Sequence, residues 1–554
     1  MSTPSPVQRP GMHHGVIERG LNATVHSRLH QGRFGRMFRT LQPATFKEAD
    51  LRKLAVAMTS EPEIDPKTKK PMVTSEKKID DEENFGIPAG YTYFGQFVDH
   101  DITFDPMSSL MKMNDPSGLV DFRTPALDLD NVYGRGPDDQ PYMYDADGKK
   151  FLLGDRNLTA NDPHKILTKD LPRFRQRALI SDKRNDENVI VSQLQGLFLR
   201  FHNFVVDQNP DASFADVQQI VRWHYQWLIL FDYLPRLVGR ELVEEILPHI
   251  NTESGKSIFK VEANLLFFKW ENFPFMPVEF SGAVYRFGHS MIRPVYRLSL
   301  GDLPAIEPEI LHLEGRRMIF APKLDDGLNG FREFPEQWGI DWKLFFETRD
   351  HKLSPLPSFR NKKRVQPAYK IDTSLVSPLA ALPEFSIPGT NDPVDKKQPN
   401  MLALRNLLRG MVLGLPSGQD VARYMGIDPI PDHDLIAGKA NIDGLDNENH
   451  KTIRACGESF RNKAPLWFYI LAEARHEWVK NRKSEAEEKE NPTPTRLGPV
   501  GGRIVAEVLI GLIYGDPNSF LSLNPNWKPD FGDATATSVF DHFTMGDLIE
   551  LPIP

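Results

Sequence analysis

Two apolar stretches between residues 190 and 250 constrain the fold more than any other feature. IVSQLQGLFLRFHNFVVD and FADVQQIVRWHYQWLILFDYLPRLVGRELVEEILPHI carry apolar residues at three- and four-residue spacing, the period of a helix with a buried face. Similar patterns recur at 399–412, 464–480 and 502–514, whereas long alternating runs of the strand type are scarce. The 45 prolines punctuate helices and long connections rather than hairpins. These patterns predict a mainly α-helical unit with long loops, little sheet and no internal repeat.

A chain of 554 residues with 40% hydrophobic content can bury a sizeable core around a cofactor. The expected organisation is an N-terminal arm and exposed loop (1–85), a helical body (86–515) and a C-terminal tail packed on it (516–554). Residues 60–84 and 482–498 are polar and charge-dense, and read as solvated loops. A net charge of −8 gives no electrostatic reason to expect nucleic acid or anionic lipid as a partner. Cys456 stands alone, which excludes an intrachain disulfide and a cysteine-rich metal site. The first twenty residues hold no apolar run, and stretches such as 504–514 read as too short to cross a membrane. The expectation is a soluble protein, cytoplasmic by default.

Five segments carry candidate chemistry. In YFGQFVDHDITFD (93–105), a helix through Gln96 puts Asp99 and His100 on its face, so an amide, a carboxylate and an imidazole share one pocket while Asp101 points away. The plainer reading is a solvated Asp-His-Asp cluster at a helix end. In TPALDLDNVYG (124–134), Thr124, Asp128, Asp130 and the Ala126 carbonyl offer the hard oxygens that Ca²⁺ takes, and Asp101 can add another. An Asx-rich turn accounts for the same residues. In KRNDENVIVSQLQGLFLRFHNFVVD (183–207), Arg184 and Glu187 lie at the mouth of an apolar helix, while His202 and Asn203 read as satisfied core polar groups. In AVYRFGHSMIRPVYRLS (283–299), His289 follows a glycine and Arg286 precedes it by three. In LALRNLLRGMVLGLPSG (402–418), Asn406 and Arg409 share a helix face, and a buried amide needs a partner such as an imidazole N–H.

Taken in this order, GQxxDHD, the Asp-rich turn ending in VYG, Arg-x-x-Glu before a helix ending in His-Asn, RFGH, and Asn-x-x-Arg before Leu-Pro resemble the animal-type haem peroxidases of the peroxidase–cyclooxygenase superfamily. The resemblance runs from roughly residue 90 to 425. It implies a mainly helical fold with haem between central helices, and residues 86–515 as the catalytic domain. It implies a distal His100 with Gln96 beside it and Arg184 as the distal arginine. His289 becomes the proximal iron ligand, with Asn406 accepting its ring N–H. Asp99 and Glu187 match carboxylates that form ester bonds to a b-type haem in many members, and Arg286 and Arg409 match positions near the propionates. Asp101, Thr124, Ala126, Asp128 and Asp130 match the family's calcium site.

The implied activity is H2O2-dependent oxidation of a small electron donor, such as a halide, thiocyanate or a phenol, in keeping with a response to oxidative stress. Two departures bear on it. Asn188 follows Glu187 where mammalian members with a third, sulfonium haem link carry methionine, so no such bond is expected. Arg286 occupies the position three before His289 where cyclooxygenases carry a radical tyrosine, and Tyr285 is displaced by one. A haem fatty-acid dioxygenase and a non-catalytic, calcium-stabilised binding protein on the same fold are the alternatives.

Overall fold

The computed structural model describes residues 32–60, 82–104, 120–121, 123–160, 165–248, 262–269, 274–299, 316–321, 327–356, 361, 363–395, 398–441, 450–531 and 543–553. Residues 61–81 of the candidate loop at 60–84, and most of the N-terminal arm, lie outside these residues.

The helical periods become helices. The seven that carry the core are α1 (Glu48–Ala57), α2 (Gly90–Ile102), α3 (Val189–Gln208), α4 (Phe214–Leu228), α5 (Leu402–Val412), α6 (Leu466–Asn481) and α7 (Pro499–Gly515). Local chemistry sets their starts. Asn188 caps α3 by accepting from the Ile190 and Val191 amides, and Ser213 and Asp216 form a reciprocal capping box on α4. A π-helical segment, Ile229–Tyr233, continues directly from α4. Helix α2 packs on α3, α3 on α4, α5 on both α1 and α6, and α6 on α7.

Aromatic contacts hold α2 in place. Phe97 stacks on Phe198 of α3 at 4.7 Å, and Phe94 meets Tyr233 edge-on at 5.4 Å. Phe94 and Phe97 are fully buried, each contributing on the order of 2–3 kcal/mol. Helix α3 is long and apolar enough to cross a membrane by length and composition, against the expectation that the apolar stretches were too short. It is nevertheless 94% buried inside the protein, as a central core helix must be.

Sheet is sparse among the described residues. Gly32–Gly35 pairs antiparallel with Val120–Asp121 and parallel with Met276–Pro277. Glu83–Pro88 pairs antiparallel with Pro367–Tyr369 across a bulge. Residues 36–38 also dock on the helical body. Arg36 donates to the Leu413 and Gly414 carbonyls at 2.9 Å, and Glu279 accepts from the Met37 and Phe38 amides. The 482–498 stretch, expected as a loop, contains a short helix, Glu485–Glu490, started by a Ser484/Glu487 capping box. Trp527, Phe531 and Phe543 surround His224 of α4, and the Met545 amide donates to Asp232 at 2.9 Å.

Candidate active site

Helix α2 delivers the first group of side chains. Gly95 faces the Tyr233 hydroxyl so closely that no Cβ would fit, which lets α2 approach the π-helical segment. Gln96 beside it and Asp99 one turn on remain partly exposed, while His100 is 4% exposed. His100 Nδ1 lies 2.7 Å from Asn185 Oδ1, and the Asn185 amide donates onward to Gln195 Oε1 at 2.8 Å. Burial, and then the Arg184 charge, lowers the His100 pKa to about 3, so the imidazole is neutral.

Arg184 and Glu187 come from the 3₁₀ turn before α3. Arg184 donates from Nε and Nη2 to Asp182 at 3.1 and 2.7 Å, and from Nη2 to the His100 carbonyl at 2.9 Å. Although burial pushes the Asp182 carboxyl up, Arg184 and Arg123 carry it well below the usual carboxylate range. Glu187 accepts from Gln96 Nε2 and lies 3.9 Å from His100 Nε2. Burial pushes Glu187 up to about 8 against the pull of Arg184. The 3.9 Å contact therefore joins a neutral carboxyl to a neutral imidazole and is no ion pair. Burial raises Asp99 as well, with Arg286 and Arg184 opposing. Asn188 caps α3 through Oδ1 and turns Nδ2 towards Gln96 at 3.3 Å. A methionine there could do neither.

The second group is built on the 3₁₀ turn Val284–His289 and on α5. The side-chain amide of Asn406 lies 2.8 Å from His289 Nδ1. With a half-turn, that amide offers Oδ1 to an Nδ1–H and leaves Nε2 as the metal-binding nitrogen. Burial, then Arg286, lowers His289 to about 3, so it is the neutral ligand form. The turn is clamped from outside: Arg286 Nε donates to the Ser281 carbonyl at 2.9 Å, and Trp467 Nε1 donates to the Arg286 carbonyl at 3.1 Å. Burial and the neighbouring Arg409 lower Arg286 to about 10. Tyr285 stacks on Phe280 at 4.5 Å and donates its hydroxyl to Tyr233 at 3.2 Å.

The two groups meet. The charges of Arg286 and Arg184 both act on Asp99, and Arg184 also acts on Glu187 and His100. Asp99, Glu187, Arg286 and His289 are enclosed by protein yet keep partial exposure, so they line an internal space. A Cβ added at Gly288, next to His289, would meet nothing within 4 Å. A neutral imidazole, adjacent arginines and two carboxyls gathered in this way fit haem. His289 would hold the iron, and Arg286 and Arg409 would face the propionates.

The expected calcium residues are brought together differently. Asp101, Asp128 and Asp130 lie close enough for the latter two to add to the burial that raises Asp101. Asp101 accepts from the Leu129 amide at 3.1 Å and from the Asn131 amide at 3.4 Å. Thr124 donates to Asp128 at 2.8 Å, and Asp130 pairs with Arg123 at 3.3 Å. Burial pushes Asp128 up to about 6. Among the described residues, no group of three or more His, Cys, Asp or Glu is arranged to hold a metal ion. His202 and Asn203 are core polar groups, as expected: His202 bonds the Tyr133 hydroxyl at 2.9 Å and the Lys149 carbonyl at 2.8 Å, and Asn203 pairs with the backbone of Phe151.

The sequence profile of the animal haem peroxidases matches residues 109–337, a span that holds the Asp-rich turn, Arg184, Glu187, Arg286 and His289. Over this span the chain is similar to the animal haem peroxidase family. His100 and Asn406 fall outside the matched span but are tied into it by their contacts with Asn185 and His289. Among solved structures, peroxidase A from Dictyostelium discoideum is similar with a TM-score of 0.53 and 14% identity, covering 93% of this chain and 89% of that one. That likeness shows a shared, mainly helical fold. A fatty acid alpha-dioxygenase from Oryza sativa gives a TM-score of 0.46 at 16% identity, covering 83% of this chain and 75% of that one. No curated protein sequence matches the chain.

Three polar residues at the site were not singled out in the sequence. Asp182, Asn185 and Gln195 sit in a charged run and an apolar helix, and only the folded contacts connect them with His100 and Arg184.

Proposed function

We propose that the protein is a haem peroxidase that consumes H2O2 and oxidises small donors, a halide or thiocyanate or a phenol, with residues 86–515 as its catalytic domain. The observation that carries this reading is the pair of neutral, amide-braced imidazoles, His100 on Asn185 and His289 on Asn406, linked through Asp99, on which both the Arg184 beside His100 and the Arg286 beside His289 act. When bound, haem supplies the iron at which peroxide is reduced.

The chain's own residues supply proton handling and charge. His100, with its proton on Nδ1, presents Nε2 as the base that takes a proton from H2O2 and returns it to the departing oxygen. Arg184, anchored by Asp182 on one side and the His100 carbonyl on the other, holds a permanent positive charge beside that imidazole. Gln96 adds a side-chain amide to the same face. Asn406 orients His289 and raises its basicity as a ligand. Asp99 and Glu187, both pushed towards the neutral acid, are the carboxyls that would form ester bonds to haem. Ca²⁺ bound by Asp101, Thr124, the Ala126 carbonyl, Asp128 and Asp130 would offset the like charges there and tie α2 to the turn.

Arg286 before His289, and a Tyr285 engaged by Tyr233 and Phe280, favour peroxide chemistry over tyrosine-radical oxygenation of a fatty acid. The test is H2O2-dependent oxidation of guaiacol and of bromide by the haem-loaded wild type and by His100→Ala. Turnover in the wild type and its loss in the variant support the assignment. Full activity in His100→Ala removes the role given to His100.

A further inference from the structure

The contact that aims His100 does not come from its own helix. Nδ1 meets Asn185 Oδ1 at 2.7 Å, Asn185 Nδ2 donates to Gln195 Oε1 at 2.8 Å, and both amides are fully buried at 0% exposure. An imidazole carries one proton when neutral, and the nitrogen that holds it is decided by what the other ring atom and its neighbours accept. Asn185 has its donor end committed to Gln195, so it presents an acceptor to His100. Gln195 is set six residues into α3, and its own Nε2 has no partner among the described residues. It therefore reads as the anchor of the series rather than a link to something further.

We propose that Asn185 and Gln195 are positioning residues that fix His100 as the Nδ1–H tautomer, so that Nε2 faces Gln96, Glu187 and the internal space as a proton acceptor. This rests on the peroxidase reading, and it assigns roles to two residues that touch neither peroxide nor haem. The same pair fixes the ring plane: Asn185 lies in the 3₁₀ turn that also carries Arg184, so one short segment sets both the orientation of the imidazole and the charge beside it. A leucine at 185 fills the same volume without an acceptor. An aspartate restores the acceptor.

Two measurements on the haem-loaded full chain test this. The first is ¹H–¹⁵N correlation of ¹⁵N-histidine-labelled protein in the diamagnetic ferrous carbon monoxide form, with His100 assigned by its loss in His100→Gln. The wild type and Asn185→Asp should show the His100 proton on Nδ1, and Asn185→Leu should not. The second is the rate at which the ferric protein binds cyanide, which needs a distal proton acceptor but no turnover. It should fall about tenfold or more in Asn185→Leu, since a misdirected imidazole tautomer is costly to proton transfer. It should recover in Asn185→Asp, and fall less steeply in Gln195→Leu, which serves as the test variant should Asn185→Leu fail to load haem. A wild-type proton on Nε2, or unchanged cyanide binding in both leucine variants, overturns the proposal. A wild type with no haem absorbance or cyanide binding overturns the peroxidase reading itself, and so is distinguished from failure of the tautomer assignment.

Discussion

His289 and Asn406 are 117 residues apart in the chain, and their side chains meet at 2.8 Å. A contact of this kind orients a metal-binding imidazole and sets how strongly it donates. Asn406→Leu should therefore weaken haem retention by about 10–100-fold, read as faster loss of haem to a scavenger protein. Asn406→Asp, which keeps an acceptor, should retain haem better than leucine. Equal retention in all three proteins would show that the contact does not brace a haem ligand.

The resemblance implies ester bonds to haem through Asp99 and Glu187, two carboxyls that burial pushes up from their ordinary range. After exposure to H2O2, wild-type protein should keep its haem through extraction with acidic organic solvent. Asp99→Asn and Glu187→Gln should each release more of it, and the double variant all of it. Complete extraction from the wild type would show that neither bond forms.

Calcium has a separate readout. Excess Ca²⁺ should raise the unfolding free energy by RT ln(1 + [Ca²⁺]/Kd), about 2.7 kcal/mol at a hundredfold excess over Kd, and the thermal midpoint with it. Asp101→Asn should abolish the response. A midpoint indifferent to both Ca²⁺ and chelator would mean that Arg123, already paired with Asp130, supplies the counter-charge instead.

Outside the site, Glu473 predicts a pH dependence of stability. Its carboxylate accepts from the Val500 and Gly501 amides at 3.0 Å, and burial pushes its pKa up to about 7. A carboxyl whose folded pKa is raised favours the folded state most below its unfolded pKa, and that advantage is lost as pH rises through the folded value. Glu473→Gln should thus stabilise the protein relative to wild type at pH 8, by roughly 2–3 kcal/mol at most, and have little effect near pH 4. Denaturant unfolding at the two pH values checks this, and a destabilised variant at pH 8 would contradict it.

The helices were legible because their apolar spacing is local. Val189–Gln208 and Pro499–Gly515 bury nearly every side chain, and the spacing that buries them can be read along the chain. The strands were not, since pairings such as Gly32–Gly35 with Met276–Pro277 are only two residues long and their partners lie far away in sequence. Within the site, His100, Arg184 and His289 stand in recognisable motifs. Asn185 and Gln195 do not: one lies in a polar run that reads as solvent-facing, the other on an apolar helix. Nothing local marks an amide whose only partners are another amide and an imidazole from α2.

The central claim is that His289 holds a haem that H2O2 oxidises with help from His100. Stopped-flow absorbance of the haem-loaded wild type on mixing with one equivalent of H2O2 tests it directly. The account predicts a Soret band that changes within milliseconds to seconds and returns when a donor is added. It also predicts that His100→Ala slows the change by about 10²–10⁴-fold. A protein that binds no haem, or a haem spectrum unmoved by peroxide, would contradict it.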